Sequence, residues 1–235
     1  MLAISLTLLL IAFRHFIGPA ALYHHFYVAD KDQWTADRIQ SRSPSEASIV
    51  WDKKQTLRSI LTDGLMVAIV LALVSSGAVE FSYTMSADQI LPSIFAFVAL
   101  LFAQDLYFYV THYALHLPPL YRRVHALHHR STNPTPWTSF SVHFVEGFTE
   151  LMFYPLVFML FKLNIYVVLL YVFVTTAINL FGHAGFRLEK FALGRVPGFS
   201  WVALCAFHNR HHQSFTGNYS LYFRIWDKVF GTEFK

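Results

Sequence analysis

The chain has 235 residues, 55% of them hydrophobic, 17% aromatic and only 14% charged, against about 25% charged in ordinary soluble domains. That balance excludes a water-soluble globule and points to an integral membrane protein. The formal net charge is +4 and gathers in a few loops with no basic-aromatic module beside it, so the basic residues read as topology signals and no nucleic acid is expected as a partner.

The first 22 residues are apolar but lack a basic start and a small-residue cleavage site, so they read as an uncleaved span or a membrane-lying helix, interrupted by Arg14 and His15. His24 and His25 follow as interfacial side chains. Residues 23–59 are polar, with a Ser-Pro-Ser turn at 43–45, and read as a short cytoplasmic linker. Residues 60–79 can cross a hydrocarbon core of about 30 Å at about 1.5 Å per residue, with Asp63 near the entrance. The next loop carries Glu80 and Asp88 and neither lysine nor arginine, which places it outside by the positive-inside rule.

Residues 90–116 return across the membrane with no helix stop before Pro118 and Pro119. Their rise is about 40 Å, roughly 10 Å more than the hydrocarbon requires, so the end bearing His112 and His116 protrudes. Asp105, Tyr109, His112 and His116 follow at helical spacing, which makes Asp105 a candidate partner for a ligating imidazole. The apolar run 148–181, with Lys162 and Asn164 near its middle, reads as a tight helical hairpin whose first arm, 148–161, is only about 21 Å long. A hairpin returns the chain to the side it left, so His183 and everything after it shares the cytoplasmic face with His112. The basic residues agree, with Arg122, Arg123 and Arg130 in the first histidine segment and Arg187, Lys190, Arg195, Arg210, Arg224 and Lys228 in the second.

Nine histidines stand in repeated spacings: His112 and His116, then His125, His128 and His129, then His183 alone, then His208, His211 and His212. The i,i+4 and i,i+3,i+4 spacings put the imidazoles of each group on one helix face. So many titratable rings packed together are costly unless something coordinates them, which a metal centre does. Nine ligands exceed one four-coordinate site, so two ions are implied; imidazole suits iron, zinc, copper and nickel alike, and ligand type does not choose among them. There is no HExxH and no carboxylate cluster of the soluble di-iron kind, which leaves an all-histidine dinuclear site at the membrane surface. The lone cysteine, Cys205, can form no internal disulfide, cannot build a thiolate-rich site, and reads as a small buried residue.

The order HxxxH, HxxHH, hairpin, lone histidine, HxxHH resembles the fatty acid hydroxylase and sterol desaturase superfamily of membrane di-iron oxygenases. DLYFYVTHYALHLPPLYRRVHALHHRSTNPTPW is similar to that family's first half and FHNRHHQSFTGNYSLYFRIWDKVFGT to its C-terminal signature; HAGF at 183–186 looks like its lone-histidine segment and HFVE at 143–146 like its HPxE. The likeness runs from about Gln104 to Thr232. Tyr113, Tyr121, Phe144, Val145 and Ser220 depart from the usual pattern, and none of them is a ligand candidate. Asn179 stands where some relatives carry a further histidine, as an oxygen ligand, a partner of bound water or a helix cap. His143 is an outer-sphere candidate that Glu146 could orient.

The resemblance implies an all-α integral membrane protein with about four core transmembrane helices in two hairpins, a possible N-terminal span, and a cytoplasmic helical cap holding a dinuclear site. It divides the chain into an N-terminal membrane segment and linker, 1–59, and a catalytic domain, 60–235. It implies two iron ions, with zinc as a possible substitute, and O2 as co-substrate, hydroxylating a C–H bond of a lipid (fatty acyl, sterol or related), or desaturating it on the same centre. The chain carries no nucleotide-binding glycine motif and no haem domain, so electrons must come from a separate reductase with a cytochrome, ferredoxin or similar donor. A metal transporter is the distant alternative, but its ligands belong near the bilayer midplane and these lie at the ends of spans. A scaffold with a structural zinc pair is the other.

Overall fold

The computed structural model describes residues 2–187 and 205–234. Lys190 and Arg195, counted above among the basic residues, lie outside the described residues. The N-terminal stretch forms α1 (Leu2–Ala12) and α2 (Gly18–His24), joined by a π-helical turn at Phe13–Ile17 and closed by a second at His25–Ala29. Such wide turns shift side chains out of ordinary helical register, and the first one brings Arg14 and His15 to bear on the next helix. His15 is fully buried, its Nε2 2.8 Å from Asp63 Oδ2, and Arg14 Nε lies 3.3 Å from the same oxygen. The two residues that look in sequence like interruptions of a span are its attachment to the following helix.

After the short α3 (Lys31–Trp34), α4 (Glu46–Ser75) begins well upstream of residue 60, capped by Ser45, whose Oγ accepts from the Ser48 amide at 3.2 Å. Residues 46–59, read from sequence as linker, are therefore the first half of a 30-residue helix, and the boundary at 59/60 falls mid-helix. The reason lies in its polar stripe. Asp52, Gln55, Thr56, Ser59, Thr62 and Asp63 recur at three- and four-residue spacing and are all buried. Asp52 accepts from the Ser131 and Thr138 hydroxyls at 2.7 Å each, and Thr56 and Ser59 donate to the Trp137 and Phe140 carbonyls at 3.0 and 2.8 Å. A polar face buried against a loop escapes any reading keyed to apolar periodicity.

The remaining elements are α5 (Ala87–Leu115), started by a Ser86–Gln89 capping box, α6 (Pro118–Arg123), the 3-10 turns His125–Arg130 and Pro136–Phe140, α7 (Phe144–Leu151), α8 (Phe153–Leu160), α9 (Ile165–Gly182), α10 (Cys205–Ser214) and α11 (Ile225–Phe230). Among the described residues four helical segments are long and apolar enough to cross a membrane: Ile4–Ala29, Glu46–Ser75, Ala87–Leu115 and Ile165–Gly182. The N-terminal stretch is one of the four; the first arm of the expected 148–181 hairpin is not. That arm breaks at Met152 because the Pro155 ring would clash with the Leu151 carbonyl four residues earlier, and α8 alone rises only about 12 Å.

The hairpin turn does fall where Lys162 and Asn164 placed it. There β2 (Leu163–Asn164) pairs in parallel with β1 (Phe81–Ser82), and Lys162 Nζ meets Glu80 Oε2 at 2.8 Å. One end of the bundle thus collects the 77–86 loop and the hairpin turn. From that end α5 and α9 both run to the other, where their C-termini deliver His116 and His183. Met66, Leu100, Phe153, Val157, Phe158 and Tyr171 pack as a central core, while Leu61, Leu71, Phe95, Leu160 and Leu170 are exposed. Large apolar side chains facing outward with polar ones buried inside is the arrangement a lipid surround favours.

Candidate metal centre

Each run of histidines is delivered by a different local device. His112 lies in the last turn of α5 and His116 caps it; His125, His128 and His129 come from the tight 3-10 turn that follows α6; His183 caps α9; His208, His211 and His212 lie on α10. The nine imidazoles form two groups, His112, His116, His125, His129 and His211 in one and His128, His183, His208 and His212 in the other, with the candidate ligand nitrogens of a group within 4.8 Å of one another.

Each HxxHH triplet is split between the groups, so a triplet does not present one common face. In both, the i,i+4 pair stays together and the i+3 histidine joins the other group. The Nε2 atoms point inward: His112 to His125 is 3.0 Å, His125 to His129 2.9 Å, His129 to His211 3.1 Å, His183 to His208 2.9 Å and His208 to His212 3.1 Å.

The outward nitrogens explain what the inward ones carry. His112 Nδ1 lies 2.7 Å from the Tyr219 carbonyl, His128 Nδ1 3.2 Å from that of Ser141, His183 Nδ1 2.9 Å from that of Asn179, His211 Nδ1 2.7 Å from that of Gly217 and His212 Nδ1 3.0 Å from that of Ser131. A carbonyl only accepts, so in each case Nδ1 holds the proton and the neutral ring presents a lone pair at Nε2. Lone pairs about 3 Å apart repel, and a cation between them converts the repulsion into coordination.

Burial keeps these rings neutral. It lowers His116, His125 and His183 to about 3 and His128 to about 4, with neighbouring imidazoles adding to the effect at His116 and His183. His129, His208, His211 and His212 are held well below the usual imidazole range, again first by burial and then by one another. Neutral imidazole is the ligating form.

The four outer candidates are placed as follows. Glu146 Oε1 is 2.8 Å from His125 Nδ1, both side chains being 1% exposed. Burial raises its carboxyl to about 8 while His128 pulls it back down; a cation at the Nε2 face acts in the same lowering direction, and the ionised carboxylate then accepts from His125. Glu146 thus touches a ligand candidate directly and does not act through His143. His143 caps α7, its Nδ1 accepting from the Val145 amide at 3.2 Å.

Asn179 donates from Nδ2 to the Ser139 carbonyl at 3.3 Å, its own carbonyl takes the His183 contact, and its Oδ1 is buried without a partner. Asp105 reaches no imidazole. It accepts from the backbone amides of Leu221, Tyr222 and Phe223 at 3.1, 2.6 and 3.0 Å. Cys205 stays out of both groups, its Sγ accepting from the Gly185 amide.

Sequence reasoning missed the collar that Asp105 helps to hold. Residues 217–223 pass over the first group, supplying the Gly217 and Tyr219 carbonyls, with the Tyr219 ring 5.0 Å from that of His116. Asp227, fully buried, accepts from the Tyr219 and Ser220 amides at 2.8 Å each and from the Thr232 hydroxyl at 2.6 Å. At position 217 a Cβ would come within 2.5 Å of the Thr232 carbonyl, so only glycine fits.

A family profile, Fatty acid hydroxylase, matches residues 97–232. The chain belongs to the fatty acid hydroxylase family. The family region takes in all nine histidines, the collar, Glu146 and Asp227, and leaves the N-terminal span and α4 outside.

Among curated proteins the chain is 32% identical over 177 residues to Protein CER1-like 2 of Arabidopsis thaliana, covering 73% of this chain and 24% of that protein. It is 30% identical over 142 residues to human lathosterol oxidase, covering 59% and 45%, and 32% identical over 139 residues to methylsterol monooxygenase erg25A of Aspergillus fumigatus, covering 55% and 43%. The chain thus spans less than half the length of these relatives. No solved structure matches it.

Proposed function

We propose that the protein oxidises a lipid within the membrane, using O2, two iron ions and electrons from a separate donor, and that hydroxylation of a C–H bond is its reaction. The observation that carries this reading is the convergence of nine imidazoles into two adjoining groups of candidate ligands inside a membrane protein. The five-histidine and four-histidine groups would each hold one ion, and such a pair, when bound, supplies the electron sharing that O2 cleavage needs. Family membership and the activities named for the lathosterol oxidase and methylsterol monooxygenase relatives support it. Desaturation on the same centre is the second reading, favoured by 30% identity to the Aspergillus fumigatus protein named Delta(7)-sterol 5(6)-desaturase erg3B.

The chain's own contributions follow from the geometry. Backbone carbonyls and Glu146 fix the tautomers of six of the nine imidazoles before any ion arrives, and burial of the site excludes water from a reactive oxidant. The net reaction takes one lipid C–H, O2, two electrons and two protons to C–OH and water. The exposed Arg122, Arg123, Arg130 and Arg210 flank the histidine segments, which supports a cytoplasmic histidine face and docking of an acidic donor protein. The test compares lipids extracted from cells lacking the protein, restored with it, and restored with His128→Ala. A lipid gaining one oxygen only with the intact protein supports hydroxylation, loss of two hydrogens supports desaturation, and full activity of zinc-loaded protein overturns the iron assignment.

A further inference from the structure

Two connected cavities lie inside the bundle. One, of about 20 Å³, is bordered by five of the histidines together with Ser139, Val142 and Glu146; the other, of about 40 Å³, runs deeper, between Arg14, Gln104, Tyr107, Tyr154 and Thr175. A water needs about 10–15 Å³ and two to four polar partners, so the first has room for about one water and the second for about three, with a polar wall to receive them. Phe108, Glu150, Asn179 and Leu221 border both cavities, so these four form the neck between them.

Of the four, only Glu150 has an acidic proton to give. Its carboxyl makes no hydrogen bond and no ion pair among the described residues, Arg14 and Glu146 being charge neighbours only. The residue is half-buried, and because it borders both cavities its open surface faces the neck. Hydroxyls of the deeper wall are already directed elsewhere, Tyr107 donating to the Thr149 carbonyl at 2.7 Å and Thr175 to the Tyr171 carbonyl at 3.0 Å.

The neighbours of Glu150 keep its proton in place. Burial, and then the charge of Glu146 four residues earlier on α7, push its carboxyl up to about 8, while Arg14 pulls it back down. Glu146 is committed to His125 Nδ1, and once ionised there its like charge opposes ionisation of Glu150. The other titratable groups facing it are Tyr107 on α5, Tyr154 on α8 and the five imidazoles across the smaller cavity.

We infer that Glu150 is a proton relay for the oxidation, passing protons from water in the deeper cavity to the oxygen atom that departs as water. The inference rests on the lipid-oxidising reading for the consumption of protons, and deepens it by naming where they enter. That reaction takes a lipid C–H, O2, two electrons and two protons to C–OH and water. In each relay step the Glu150 O–H bond breaks, its proton crosses the neck through water to the departing oxygen, and the carboxylate takes a proton back from the deeper cavity. Two such steps supply both protons and leave Glu150 unchanged, with the electrons coming from the donor protein.

The experiment is single turnover of the full-length protein in detergent, loaded with iron, reduced without O2, freed of reductant and mixed with O2 and lipid extracted from cells lacking the protein. Iron oxidation is followed by absorbance and the lipid product by mass, with iron content and melting temperature measured on the same samples. The wild-type rate should fall as pH rises through about 8, because the protonated acid is the donor, and should be slower in D2O. Glu150→Gln should lower the rate by about 100-fold or more, the size expected for a positioned acid, and abolish the fall with pH. Its iron content and melting temperature should stay at wild type, and Glu150→Asp should recover part of the rate together with the pH dependence. Infrared titration of the metal-free protein supplies a reading without turnover: a protonated-carboxyl band that disappears as pH rises through about 8 should be weaker in Glu150→Gln.

A Glu150→Gln protein with the wild-type rate, a pH fall that survives in it, or a carboxyl band unchanged by the substitution overturns the inference. Should Glu150→Gln fail to fold, Glu150→Leu reads the same loss. A wild type that oxidises lipid no faster than Glu150→Gln sinks the relay alone, whereas a wild type that yields no oxidised lipid overturns the oxidation reading and the relay with it.

Discussion

Replacing Asp105 tests whether the collar over the histidines is held from below by one carboxylate. Asp105 is fully buried and accepts three backbone amides, from Leu221, Tyr222 and Phe223 at 3.1, 2.6 and 3.0 Å. In Asp105→Ala all three amides lose their acceptor; each buried unpaired donor costs about 1–3 kcal/mol, so the loss exceeds about 3 kcal/mol, at the severe end for one substitution. For a domain of this size that corresponds to a fall in melting temperature of roughly 6–12 °C.

Asp105→Asn keeps Oδ1 for two amides but turns an NH2 group toward the third, so it should lose about 1–3 kcal/mol and fall between the wild type and Asp105→Ala. The same segment carries the Tyr219 carbonyl 2.7 Å from His112 Nδ1. Retained metal should therefore decline in the same order although Asp105 touches no imidazole. Unfolding of the metal-free protein in detergent, with metal content assayed in parallel, reads both effects. An Asp105→Ala protein as stable as wild type, or an asparagine variant less stable than the alanine one, would refute the reasoning.

Other predictions rest on the same contacts. Glu146→Gln should lower metal affinity by about 10- to 100-fold while leaving the melting temperature of the metal-free protein close to wild type, since it weakens the His125 Nδ1 contact and little else; chelator competition measures it. His128→Ala and His212→Ala should empty the four-histidine group and His129→Ala and His211→Ala the five-histidine group, each removing about half the bound metal and abolishing activity; normal metal content in any of them contradicts the grouping. Asp63→Ala strands the partly buried Arg14 and the buried His15 and should cost about 3 kcal/mol, seen as a lowered unfolding midpoint, with His15→Ala milder. The metal-free protein should also be acid-labile. Folded His125 and His183 titrate at about 3 and His128 at about 4, but near 6.5 when unfolded, so between pH 6.5 and 4 the unfolded chain binds more protons and stability falls as pH falls, by up to about 1.4 kcal/mol per unit for each histidine. A flat unfolding midpoint from pH 7.5 to 5 would count against it.

All nine ligand candidates are legible in the sequence because coordination demands a side-chain type, and histidine at three- and four-residue spacing has few other uses. What holds them is not legible, because five of the Nδ1 partners are backbone carbonyls, which every residue possesses. Asp105 shows the same limit from the other side: its spacing to His112 suggests an imidazole partner, whereas the carboxylate reads amides far along the chain. Helix α4 and the pair Arg14 and His15 escape for a third reason, that polar residues ordinarily mean exposure and in these segments the polar face is buried.

The division of the triplets is invisible in the pattern, yet it gives the repeat its purpose. On α10, His208 and His212 lie about 40° apart around the axis while His211 is displaced to the other side, so one short helix serves both groups. The first triplet divides the opposite way, giving its pair, His125 and His129, to the group that receives His211, and its single histidine, His128, to the group that receives His208 and His212. Two triplets used reciprocally link both groups twice. His112 and His116 then complete one group and His183 the other, so the separation of the two groups is set by two short helical segments and not by the long spans that carry them into place.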